Sequence, residues 1–114
     1  MEIVRFAEAP AYTAANHDDV SPRRLQGGAA TGADFALVGH SHFPTGAVVP
    51  MEAADIGRIY VVIDGALSVE QADGTRHRLE RLDSVFVPAG EARAVINDSG
   101  APAAIIVVTP PAST

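Results

Sequence analysis

The sequence predicts an all-β fold, a sandwich or barrel of short antiparallel strands. Its apolar, β-branched runs are short and are broken repeatedly by Gly, Pro, Asp and Asn. Two Asp-Gly pairs, Asp64-Gly65 and Asp73-Gly74, stand nine residues apart and are strong hairpin-turn signals. No segment repeats its apolar residues at the 3.6-residue period of an amphipathic helix.

In chain order, residues 2–7 alternate apolar and charged side chains and read as a first, edge strand. Residues 8–33 are rich in Ala, Gly, Asp and Pro without any period, which predicts a long irregular arm over the surface. Within that arm Ser21-Pro22-Arg23-Arg24 is either a solvated loop or a pair of guanidiniums offered to a pocket mouth. The β domain proper is expected over 34–109, with 110–114 a frayed tail. Its strands are 34–43, ended by Pro44-Thr45-Gly46, then 47–51, and 58–63, which closes on Asp64-Gly65. Residues 66–72 and 75–82 flank the second Asp-Gly turn and make a meander. Residues 84–87, 92–97 and 103–109, separated by Pro88-Ala89-Gly90 and Ser99-Gly100, complete the series.

Composition narrows the chemistry. At 114 residues the chain makes one domain, and without cysteine it has neither a disulfide framework nor a thiolate nucleophile. All eight basic residues are arginine, so Schiff-base and lysine general-base chemistry are excluded. A net charge of -6 and dispersed aromatics argue against a nucleic-acid surface. No apolar run reaches the roughly 18 to 20 residues of a membrane helix. Glu2, Arg5 and Glu8 stand where a signal peptide would be apolar, so a cytoplasmic location is the expectation.

One pattern of spacing goes further. Gly46, Glu52, Ala54, Arg58 and Gly65, followed by Leu82, Pro88, Gly90, Arg93 and Asn97, keep every interval of a two-part motif. The motif is a glycine, two histidines, a glutamate and a glycine, then a glycine, a proline, a glycine, a histidine and an asparagine. Over residues 35–108 the chain thereby resembles the cupin superfamily, whose members are small antiparallel jelly-roll β-barrels. The turn-shaping Gly46, Gly65, Pro88, Gly90 and Asn97 are kept, whereas Leu82 replaces a glycine. All four metal-ligand positions depart, to Glu52, Ala54, Arg58 and Arg93. A divalent ion wants several imidazoles or carboxylates, so the metal chemistry that the resemblance usually implies is not expected at these positions, and no cofactor is expected.

If register follows the resemblance, Glu52, Ala54, Arg58 and Arg93 point into the barrel, and alternation adds Tyr60, Val62 and Val95. Arg58 and Arg93 are then candidates to clamp a small anionic organic compound, since a guanidinium fork suits a carboxylate. Glu52 becomes the candidate general acid or base and Tyr60 the donor to a developing oxyanion. Such a site supports metal-independent isomerisation, cyclisation or elimination. Two alternatives stay open: a barrel plugged by a salt-bridge network, and a relocated metal site built on His40 and His42. Phe43 inward would put Ser41 inward and both histidines outward. The resemblance also implies a homodimer, paired through sheet edges or faces.

Overall fold

The structure, a computed structural model, describes residues 1–111. Of the expected tail, 112–114 lie outside the described residues. The described chain forms nine strands: β1 (Ser21–Gln26), β2 (Leu37–Phe43), β3 (Val48–Glu52), β4 (Arg58–Asp64), β5 (Leu67–Gln71), β6 (Arg76–Leu79), β7 (Ser84–Val87), β8 (Arg93–Ile96) and β9 (Ala103–Thr109). They build two antiparallel sheets, ordered β1-β2-β9-β4-β7 and β3-β8-β5-β6. No helix among the described residues is long and apolar enough to cross a membrane.

Strand alternation decides what lies between the sheets. On β4, Arg58, Tyr60 and Val62 are buried while Ile59 is exposed and Val61 and Ile63 are half-buried. Phe43, Val49, Val62, Leu67, Val87, Val95 and Ile105 fill the interior from both sheets. Each such side chain contributes roughly 1.5 to 3 kcal/mol on leaving water. The turn after β4 requires glycine: Gly65 has φ +66°, and a Cβ there would stand 2.5 Å from the Pro102 carbonyl oxygen.

Two expectations about the N-terminal region are corrected. Residues 2–7 form no strand; the segment holds a single 3-10 turn, Phe6–Glu8, and Ile3 and Phe6 stay exposed. The sheet edge it would have joined is occupied by β1, whose residues Ser21 to Arg24 pair with His42 to Gly39. The arm is therefore not wholly irregular. Pro22 argues against a strand from sequence, yet an edge strand tolerates a residue without an N–H. The outer side of β1 is covered in turn by the arm, where Ala11 bridges Arg23 and Tyr12 N–H donates to the Pro22 carbonyl.

Candidate functional site

Between the sheets lies a cavity of about 310 Å³ whose wall draws on β1, β2, β3, β4, β8, β9 and the arm. Glu52, Ala54, Arg58, Tyr60, Arg93 and Val95 all line it; Val62, also expected to point inward, is packed in the core and is not part of the wall. Arg58 and Tyr60 reach it by alternation along β4, and Arg93 and Val95 by alternation along β8. Glu52 arrives differently. The ladder between β3 and β8 shifts between Val49 and Glu52, and that irregularity sets Glu52 opposite Arg93.

The two arginines are buried, Arg58 at 7% exposure and Arg93 at 4%. Arg93 donates Nε–H to the Tyr60 hydroxyl at 2.7 Å and an Nη1 hydrogen to the Pro50 carbonyl at 3.4 Å. Arg58 donates from Nη2 to the Glu91 carbonyl at 3.2 Å, while its Nε is buried with no partner. Among the described residues the ion pairs are Arg76 with Glu70 and Asp98, and Arg78 with Glu80. Among the described residues no carboxylate lies within salt-bridge distance of Arg58 or Arg93. A salt-bridged plug would need one, and open volume remains beside both guanidiniums.

Glu52 is half-buried and accepts a bond from Asn16 Nδ2 at 3.4 Å. Asp19 accepts the Val48 N–H at 3.1 Å, so the arm is tied to both ends of β3. The Tyr60 oxygen accepts from Arg93, which leaves the phenolic hydrogen free for a ligand.

His40 and His42 do not join this site. Ser41 and Phe43 of the same strand face the cavity, and the two imidazoles lie on the outer face of the sheet. His42 is exposed, and the His40 ring packs edge-on to Phe6 with centroids 4.7 Å apart. A metal site of His40, His42 and Glu52 is therefore not assembled, because the sheet separates them. Sequence reasoning did not place Tyr12 and His17 in the wall and left Arg24 undecided; all three line the cavity. A period of two over Ser21 to Gln26 would have put Pro22 and Arg24 on one face and Arg23 on the other.

A family model described as a cupin domain matches residues 39–109. The chain belongs to the cupin family. A curated relative, named beta-D-galactosidase Rv1717 and from Mycobacterium tuberculosis, is 36% identical over 107 residues, covering 94% of this chain and 91% of that protein. The polyketide cyclase RemF from Streptomyces resistomycificus superposes with a TM-score of 0.85 at 18% identity, covering 96% of this chain and 79% of its own. A cupin-superfamily sugar phosphate isomerase from Silicibacter pomeroyi gives 0.74 at 24% identity, with 91% and 70% covered. These two structural likenesses bear on the fold.

Many cupins hold a divalent metal in the barrel, and the donor set here does not fit one. At the four motif positions stand one carboxylate, one methyl group and two fixed cations. Among the described residues no three His, Asp or Glu side chains come together elsewhere.

Proposed function

We propose that this cupin binds a small anionic organic compound in its barrel and turns it over by metal-independent proton transfer. The observation that carries the reading is a pair of buried arginines, Arg58 and Arg93, lining open volume with no carboxylate partner among the described residues. A buried unpaired charge is expensive, by several kcal/mol per ion, and a ligand anion would offset that. Arg58 and Arg93 hold the acidic group, Glu52 removes or delivers the proton, and Tyr60 donates its free hydrogen to the oxygen on which charge develops. Arg93, bonded to the same phenol oxygen, stabilises that charge.

The M. tuberculosis relative favours a second reading within the same site, in which the proton goes to a glycosidic oxygen. Glycoside hydrolysis ordinarily uses two carboxylates. Glu52 is the one carboxylate in the described wall of the cavity, so Tyr60 would stand in for the second.

A thermal-shift screen of small carboxylates and sugar acids tests the binding step. An occupant at a hundred times its Kd adds about 2.7 kcal/mol of stability, and no rise in Tm for any anion would end the reading. Turnover is then followed with enolizable carboxylates in D2O and with nitrophenyl β-D-galactoside and β-D-galacturonide. Glu52→Gln should lower whichever rate is found by about 100- to 10,000-fold while keeping anion affinity; an unchanged rate removes Glu52 from the chemistry.

A further inference from the structure

We propose that the ligand carries two separate anionic groups, one held by Arg58 and Arg93 and the other by Arg24 at the arm side of the cavity. The inference rests on the barrel being an anion site, and it narrows the ligand class to dianions such as dicarboxylates or acidic sugars with a second acidic group.

Three arginines, Arg24, Arg58 and Arg93, line one cavity whose described wall holds a single carboxylate, Glu52; Arg24 is half-buried and also borders a second pocket with Tyr12 and Gly28. Two positive charges are left in excess, in a chain whose net charge is -6. A single carboxylate on Arg58 and Arg93 would leave one of them uncompensated.

Arg24 is placed there by construction. Its guanidinium carbon stands 4.1 Å from the centroid of the Tyr12 ring. Tyr12 packs in turn over Gly39, the register partner of Arg24 on β2, where a Cβ would come within 2.8 Å of the Tyr12 hydroxyl. Glycine, ring and guanidinium thus form a stack that fixes the cation against the wall, and an aromatic face holds a cation without neutralising it. No described carboxylate pairs with it. The neighbouring Arg23 shows the contrast: it turns to the outer face, stacks 5.4 Å from the Phe6 centroid and donates to the Ala9 carbonyl at 3.1 Å.

Crystals of the full chain soaked in sodium bromide, with anomalous scattering locating the halide, separate this inference from the reading beneath it. The expected result is two peaks in the cavity, one on Arg58 and Arg93 and one on Arg24. A peak on Arg58 and Arg93 alone overturns the second anion position and leaves the first intact; no peak in the cavity overturns both. In solution, glutarate should bind roughly tenfold more tightly than its monomethyl ester, because the second charge gains a charge-assisted bond. Arg24→Gln should abolish that preference while the monoester binds as before. Equal affinities of diacid and monoester in the unsubstituted protein would overturn the proposal.

Discussion

Arg93 on β8 donates its Nε–H to the hydroxyl of Tyr60 on β4 across 2.7 Å, so one buried polar group from each sheet fixes the other. The bond fixes the direction of the guanidinium without neutralising it. Tyr60→Phe leaves a buried N–H unpartnered and should lower stability by about 1 to 3 kcal/mol. Arg93→Leu strands no described carboxylate but leaves the Tyr60 hydroxyl without its donor, so it should cost no more than about 1 to 3 kcal/mol. Its carboxylate affinity should fall tenfold or more. Urea unfolding and calorimetric titration measure the two quantities. A large loss of stability in Arg93→Leu with unchanged anion affinity would mark Arg93 as a strut.

Asn97 makes the opposite kind of polar contribution, structural and fully satisfied. At 1% exposure it donates from Nδ2 to the carbonyls of Phe43, Pro44 and Ala101 at 2.9, 3.2 and 2.8 Å. Its Oδ1 accepts from the N–H and hydroxyl of Ser99 at 3.2 and 2.7 Å. The side chain joins the end of β2 to the turn between β8 and β9. Asn97→Ala orphans several of these groups and should destabilise by about 3 kcal/mol, since each stranded buried group costs about 1 to 3. Asn97→Asp should be worse, because a carboxylate would face three carbonyl oxygens. If denaturant midpoints show Asp equal to Asn, the donor role is wrong.

The inner wall was legible in the sequence because strands impose a period of two. That rule set Arg58 with Tyr60 and Arg93 with Val95, and the turn residues fixed where each strand began. Glu52 was not accessible to alternation: counting by twos from buried Val49 selects exposed Met51, and only the motif spacing anticipated the register shift between them. Tyr12 and His17 escaped prediction, and Arg24 stayed open between a solvated loop and a pocket mouth, for a different reason. Their positions depend on long-range links of the arm, Ala11 to Arg23 and Asn16 to Glu52, which leave no local pattern. Pro22 then disguised β1, although the edge position makes it harmless.

Leu82 occupies a place that the motif reserves for glycine, and its backbone shows why. It has φ +72°, its side chain is 66% exposed, and its N–H is held by the Val62 carbonyl at 2.6 Å. The left-handed conformation penalises an L-residue by roughly 1 to 2 kcal/mol, while glycine adds about 0.5 to 1 kcal/mol of unfolded-state freedom. Leu82→Gly should therefore raise stability by up to about 1 kcal/mol, and Leu82→Ala, still strained, should not. A glycine variant that melts below the parent would show that the leucine side chain matters more than its backbone.

His40 gives the fold a pH dependence that can be isolated. Burial holds its pKa below the ordinary 6.5, seconded by the nearby charge of His42 and of Arg23, with its own backbone opposing. Phe6 from the N-terminal segment and Ile106 from β9 also meet it, and both are neutral. The unfolded chain binds a proton near pH 6.5 that the folded chain refuses, so His40 stability is fully present above that value. It is lost as pH falls from there toward the folded pKa. Asp98 works in a lower window: burial would raise its pKa, but hydrogen bonds from Ser68 and Arg76 outweigh burial and keep it below 3.8. Its contribution is therefore present above 3.8 and fades as pH falls through the lowered value. Calorimetric Tm should thus drop below about pH 6.5 in the parent and be flatter there in His40→Gln, with the steep acid limb unchanged. Parallel curves for the two proteins would show that His40 does not resist protonation.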